Sequence, residues 1–322
     1  MQMKLKKTAS GSTSVSLAIA LAIAAVIFTV VSPNHVFLSV KNFSNILVNC
    51  SITAIMAAGS TVAMLLGGMD ISQYAIATLG SCTAAMMIEK GMPFGAAILV
   101  MLLVCVACGA VNGFLVACLK IPAVVTTMGT MQIFRGIAYL ATDARTIMIM
   151  NPAYLVVGRS YILGIIPVSI LLMAFVYLVT FYILKYTSFG RKVFSVGGNK
   201  QASYLSGISA TKIQFGAMMY SAVCAGIGGF LLSSQTGAAI PSSGAGSEMS
   251  ILTGVILGGI SLSGGKGKIS GTILGVLVVA VVKNGLTLCN VNAFIQMIVE
   301  GTILAVAVFL DLVRNGAYKK AN

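Results

Sequence analysis

The hydrophobic positions of this chain fall into ten blocks, at residues 15–31, 46–66, 71–88, 94–119, 122–141, 161–184, 213–233, 249–262, 269–283 and 293–313, separated by polar joints. Most blocks are long enough to cross the hydrocarbon core of a bilayer as an α-helix. The pattern predicts an all-α integral membrane protein of about ten transmembrane helices, in a single membrane domain over residues 1–322. Block 249–262 is too short for an ordinary span and is rich in glycine. Block 122–141 carries Pro122, Gly129 and Gly136. Short or Gly/Pro-interrupted apolar segments predict broken or re-entrant helices beside a transport path. The first block, preceded by Lys4, Lys6 and Lys7, looks like a secretory signal. Because further apolar blocks follow, it predicts an uncleaved first helix.

Composition agrees with the pattern. The chain is 58% apolar and 8% charged, with a mean hydropathy of +1.02, whereas soluble domains carry about 25% charged residues. The net charge of +14 does not point to nucleic acid, because the basic residues sit between apolar blocks and form no aromatic-interleaved patch. Their distribution reports topology instead. With the N-terminus inside, Lys4, Lys6, Lys7, Lys120, Lys185, Arg191, Lys192, Lys200, Lys212, Lys266, Lys268, Arg314, Lys319 and Lys320 lie on the inner side. Only Lys41, Lys90, Arg135, Arg145, Arg159 and Lys283 lie outside or within spans. This excess satisfies the positive-inside bias. It predicts two cytoplasmic termini, a cytoplasmic tail at 1–14 and a long cytoplasmic loop at 185–212.

Few residues carry recognisable chemistry. Cys105 and Cys108 form a C-x-x-C inside an apolar block with no second pair nearby, so they and the other five cysteines read as small packing residues. The stretch Gly258 to Lys268 invites a phosphate-loop reading, yet Ile260 stands where such a loop needs its first glycine and Gly267 where it needs a hydroxyl. It reads as a flexible basic turn. Asp70 or Ser72 would cap the helix that follows, or serve as a polar gate, since a carboxylate near hydrocarbon is costly unless paired or wetted. Arg135, Glu248 and Glu300 lie in or beside apolar blocks and are candidates either for function or for an Arg–Glu pair that fixes helix packing. The glycine pairs 109/113, 254/258 and 271/275 have the spacing that allows close helix approach. One octamer recurs, Leu65-Leu66-Gly67-Gly68-Met69-Asp70-Ile71-Ser72 and Ile256-Leu257-Gly258-Gly259-Ile260-Ser261-Leu262-Ser263, each copy at an inner end.

Several blocks together resemble the ribose-type permease family of ABC importers. They are Gly67-Gly68-Met69-Asp70-Ile71-Ser72; Ile121-Pro122-Ala123 running into Thr127-Met128-Gly129-Thr130 and Phe134-Arg135-Gly136; Thr187-Ser188-Phe189-Gly190-Arg191; Gly197-Gly198-Asn199 with Leu205-Ser206-Gly207-Ile208; and Gly244-Ala245-Gly246-Ser247-Glu248 followed by Leu257-Gly258-Gly259 and Gly264-Gly265-Lys266-Gly267. They stand in the family's order across most of the chain. Two places depart from it: Lys200-Gln201-Ala202 follows Gly-Gly-Asn where acidic and alanine residues are usual, and Gln73-Tyr74 replaces a common Val-Gly.

The resemblance implies the membrane subunit of a sugar importer in the bacterial inner membrane. It implies a second permease copy, identical or not, a cytoplasmic tandem-domain ATPase and an external sugar-binding protein. ATP and magnesium would be bound by the ATPase, with no cofactor or metal in this chain. It also implies that a short cytoplasmic helix docks on the ATPase, here Asn199, Lys200, Gln201, Ala202, Ser203, Tyr204, Leu205, Ser206, Gly207 and Ile208, with Asn199 placed as an N-cap. Translocation-path candidates are Asp70, Ser72, Thr126, Thr127, Thr130, Gln132, Arg135, Glu248 and Glu300. Nucleosides and furanone-type signals are alternative solutes. An ion-coupled secondary transporter, with Glu300 as its titrating group, is the alternative class. An intramembrane hydrolase is disfavoured, because the sole histidine, His35, lies in an outer loop.

Overall fold

The computed structural model describes residues 2–164 and 166–314, and Lys319 and Lys320 of the inner-side set lie outside them. Helices dominate: α1 (Gln2–Val31), α2 (Val40–Met64), α3 (Gln73–Glu89), α4 (Phe94–Gly113), α5 (Ala123–Ala141), α6 (Pro152–Arg159), α7 (Val168–Tyr186), α8 (Ser188–Gly198), α9 (Lys200–Leu205), α10 (Ala210–Thr236), α11 (Glu248–Leu257), α12 (Ile269–Leu288) and α13 (Ala293–Arg314). Two antiparallel pairs of two-residue strands, Ile147–Met148 with Ala238–Ala239 and Tyr161–Ile162 with Ile166–Pro167, stitch the connections. A helix occupies each of the ten apolar blocks. Among the described residues, six helices are long and apolar enough to cross a membrane, with shorter apolar helices at Val15–Val31 and Glu248–Leu257. The protein is an all-α membrane protein.

Its surface is the reverse of a soluble protein's. Leu99, Leu103, Leu171, Phe175, Leu178, Phe294, Ile298 and Phe309 are exposed on α4, α7 and α13, while Asp70, Gln73, Asn112 and Thr272 are buried. In lipid the outward face gains nothing from polarity, and helices hold together through close packing and buried polar contacts. α2 and α10 form the centre. The Thr61 and Thr272 hydroxyls meet at 2.9 Å between α2 and α12, and Thr180 meets the Tyr220 phenol at 2.6 Å between α7 and α10. The glycine spacings interlock: Gly254 and Gly258 on α11 face Gly271 and Gly275 on α12, where a Cβ at Gly258 would lie 2.6 Å from the Gly271 carbonyl oxygen. Gly109 packs on Ala222 of α10 in the same way.

Two expectations need correction, and two features are new. α5 is unbroken, because Pro122 sits at its N-cap and Gly129 and Gly136 lie on an open face within a continuous helix. Block 161–184 opens with the small hairpin that ends at Pro167, and its helix starts only at Val168. The joint 142–160 contains α6, and the joint 185–212 contains α8 in addition to the expected short helix, α9. An irregularity that the sequence did not announce, a π-helical turn over Phe114–Cys118, closes α4.

The joints gather at two ends. At one end Gly265 N–H donates to the Leu65 carbonyl at 2.7 Å, Gly68 packs near Ala123, Gly265 meets Gly198, and Leu262 N–H donates to Asp311. At the other end Arg145 pairs with Glu89, Asn284 donates to Asn42, Arg159 caps the Gln235 and Thr236 carbonyls, and Thr78 reaches Ser243.

Candidate functional site

Three polar features stand out in a bundle otherwise built from aliphatic and small side chains. The first is a node around Asp70, between α2 and α3. Asp70 is 2% exposed. Its Oδ1 accepts from the Ser72 amide at 3.0 Å and the Ser72 hydroxyl at 2.7 Å, and its Oδ2 accepts from the Ser221 hydroxyl of α10 at 2.6 Å. Each serine is itself held by an amide: Asn112 of α4 donates to Ser72 at 2.8 Å, and Gln73 donates to Ser221 at 2.7 Å and to the Met56 carbonyl at 3.0 Å. The Ser72 amide and the two serine hydroxyls all donate to the carboxylate, which is how a buried carboxylate is accommodated without a cation. Ser72 stands at the N-cap position of α3 but makes no capping bond to the helix. The expected cap is absent because the Ser72 hydroxyl is committed to Asp70.

The second feature is the joint beneath α9. Asn199 caps α9 as expected, accepting from Ala202 N–H at 2.9 Å. The helix ends where Gly207 N–H bonds to the Tyr204 carbonyl and Ile208 N–H to the Ser203 carbonyl, a closure that puts Gly207 at φ +74°. Ser195 of α8 and Ser203 share a 2.9 Å hydroxyl contact that braces the two helices. Tyr204 is 72% and Leu205 77% exposed. Behind them the backbones of Leu65, Gly197 and Gly265 touch: a methyl group on Gly197 would collide with the Leu65 carbonyl oxygen, and one on Gly264 would lie 2.8 Å from Gly67 N. The turn 261–267 therefore spends its amides and glycines on packing, with Gly265 N–H given to Leu65 and Gly264 N–H to Ser261.

The third is a cleft in the other half of the bundle, enclosing about 1080 Å³ of empty space that includes its mouth. α2, α3, α11 and α12 wall it, together with the connection before α11. Its floor holds Ile52, Leu232, Val276 and Val279, and its rim holds amide, hydroxyl and ammonium groups.

The sequence candidates do not converge on one place. Thr127 ties α5 to the turn before α3, with its hydroxyl 3.2 Å from both Ile71 N and Met69 O. Thr126 and Thr130 are buried on the same face of α5, whereas Gln132 lies on its exposed face. Arg135 pairs with Glu248 at 2.6 Å, both largely buried, joining α5 to the first turn of α11. Glu300 is apart from them, accepting from the Ser250 hydroxyl and lining a small groove with Lys283. Tyr74 showed in the sequence only as a departure from the family's pattern, and Ser221, Asn112 and the cleft residues Asn49 and Thr53 were not among the site candidates. Isolated polar residues within apolar blocks are the only trace they leave.

Residues 42–308 match the model of the family described as branched-chain amino acid transport system / permease component. The chain is 36% identical to the ribose import permease protein of Haemophilus influenzae over 289 residues, 88% of each chain. It is 34% identical to the D-allose transport system permease protein of Escherichia coli K12, covering 88% of this chain and 87% of that one. It is 30% identical to the L-arabinose transport system permease protein of the same strain, covering 89% and 88%. No solved structure matches the chain significantly.

Proposed function

Because this chain belongs to the permease-component family of ABC importers, in its ribose-type sugar branch, we propose that it forms the membrane path of an ATP-driven importer for a pentose- or hexose-sized sugar. It crosses the bacterial inner membrane ten times with both termini in the cytoplasm, and works beside a second permease copy. An external binding protein delivers the solute. ATP and magnesium are bound and consumed on a cytoplasmic tandem-domain ATPase, which docks on Asn199–Ile208 within the cytoplasmic loop 185–212.

The observation that carries this reading is the construction around α9. Tyr204 and Leu205 project from a six-residue helix that is capped at both ends and flanked by Lys200, Arg191 and Lys192. An exposed aromatic–aliphatic pair in so charged a segment suits a protein partner better than lipid. The same helix is backed by Gly197 against Leu65 and Gly265, so a push on α9 bears on the α2–α3 turn and the α11–α12 turn together. Movement of such packed elements as bodies is how alternating access is produced, and ATP drives it by binding the two access states differently. Asp70, Ser72, Thr127, Arg135, Glu248 and Glu300 serve this path mainly by holding α3, α5, α10, α11 and α13 together; Thr126 and Thr130 are buried on α5 beside Thr127, and Gln132 faces outward on α5, toward the second copy.

The test is uptake by proteoliposomes containing the permease, its ATPase and its binding protein. Changing Tyr204→Asp together with Leu205→Asp is expected to abolish ATPase co-purification and uptake while membrane insertion stays normal. Uptake by the permease alone, driven by a pH gradient, would overturn the reading in favour of an ion-coupled carrier.

A further inference from the structure

The cleft of the outer half takes no part in the coupling apparatus. Along it α2 and α12 carry Asn49, Thr53, Lys283 and Thr287 among their apolar residues. Tyr74 of α3 is 6% exposed and lines the same space. The connection before α11 is seated as its wall, with Gly244 pressed against the Tyr74 ring and the Ser243 carbonyl accepting from Thr78 at 3.0 Å.

We propose that this cleft is a solute-binding site within a single permease chain, and that it takes a neutral polyhydroxylated molecule of monosaccharide size. The assignment rests on the importer reading above and names where in this chain the solute is held. Four properties carry it. The enclosed space is of the order of ligand pockets, roughly 300–1,000 Å³, once its open mouth is discounted. An apolar floor of Ile52, Val276 and Val279 suits the C–H face of a sugar ring. A rim of hydroxyls and amides both donates and accepts, as a set of sugar hydroxyls requires. Among the described residues that line it, Lys283 is the sole ionisable group apart from the Tyr74 phenol, so that lining has neither the carboxylates of a cation site nor the arginine cluster that recognises phosphate.

The test uses the complete importer in proteoliposomes, with Cys118 and Cys289 replaced by serine and a single probe introduced as Asn49→Cys. A membrane-impermeant thiol reagent added outside is expected to modify that position. Millimolar D-ribose, D-allose or L-arabinose, whichever the complex imports, is expected to slow modification about five-fold, the worth of one or two hydrogen bonds. Ribose 5-phosphate is expected to have no effect, and an Asp143→Cys control on the exposed outer loop is expected to react at one rate throughout. In a separate variant, Thr53→Val is expected to raise the uptake KM about five-fold with the maximal rate kept.

Protection by the phosphorylated sugar would overturn the neutral class. Equal slowing at the control, no slowing by an imported sugar, or an unchanged KM would overturn the site. Reaction only with a membrane-permeant reagent would mark a lipid-filled crevice and also overturn it. Failure of the unmodified complex to import any sugar would instead sink the importer reading, so the two failures are distinguishable.

Discussion

A carboxylate among apolar helices costs several kcal/mol unless its surroundings supply hydrogens. Asp70 receives them from Ser72 and Ser221, each oriented by an amide one step further out. The charge therefore binds the α2–α3 turn to α4 and α10 in one connected unit. Asp70→Asn replaces an acceptor by an amide whose N–H₂ must face hydroxyls already pointing inward. Hydrogen bonds to a charged group contribute about 1.5–3 kcal/mol each, so the substitution is expected to lower the thermal unfolding midpoint in detergent and the yield of monodisperse protein. An unchanged midpoint would mean that the node is not a structural clamp. The position of Asp70 beside two apolar blocks was legible in the sequence as a cost, but its compensation was not. Ser221 stands 151 residues away and Asn112 stands 42 away, and nothing in a lone serine or asparagine within an apolar block names its partner. Arg135 was legible in the same partial way: the expectation of an Arg–Glu pair was right in kind, and of the two acidic candidates Glu248 is the partner.

Elements were read well where length and hydrophobicity decide and less well where local geometry does. All ten blocks hold helices, yet Gly129 and Gly136 failed to break α5. Glycine in a helix costs only about 1 kcal/mol, which the packed neighbours α3 and α4 absorb. The repeated octamers end their helices by one device but in different registers: Gly67 takes the left-handed position in the first copy, and Gly259, which aligns with Gly68, takes it in the second. Sequence similarity there reports a shared way of stopping a helix more than superposable structure. The segment 199–208 reads as a short helix capped by Asn199, and α9 is that helix, while its backing was invisible, because backbone contacts among Leu65, Gly197 and Gly265 leave no side-chain signature. They do leave a sharp test. A methyl group on Gly197 meets the Leu65 carbonyl, whereas one on Gly198 meets nothing within 4 Å. Overpacking costs about 1–3 kcal/mol, or roughly ten-fold in an equilibrium. Gly197→Ala is expected to lower ATP-driven uptake on the order of ten-fold, with ATPase still bound. Gly198→Ala should behave as the parent. Equal effects of the two would remove the glycine joint from the coupling path.

For the molecule as a whole, the two ends of the bundle supply an argument about topology that no single helix can. The joints at 65–68, 123, 197–198, 262–265 and 311 meet one another at one end, and at the other end 89 pairs with 145, 42 with 284 and 159 with 235–236. With α6, α8 and α9 counted as parts of joints, the joints these contacts place fall alternately at the two ends, the order that the predicted even number of crossings requires. Lys185, Arg191, Lys192, Lys200, Lys266 and Lys268 are carried on joints of the first end, which the positive-inside bias assigns to the cytoplasm. α3, of 17 residues, and α11, of 10, are shorter than free-standing spans, and burial among neighbours explains how they are tolerated: Gln73 and Glu248 face protein, not lipid. The consequence can be checked in intact cells. In the background with Cys118 and Cys289 replaced, Asp143→Cys is expected to react with an impermeant maleimide added outside. Lys200→Cys, exposed on α9 at the opposite end, should react only after the membrane is opened. Labelling of both positions from the same side would place the two ends of the bundle together and destroy the ten-crossing arrangement. Reversal of the two would keep the bundle but invert it, and would set α9 on the side of the membrane where no ATPase can reach it.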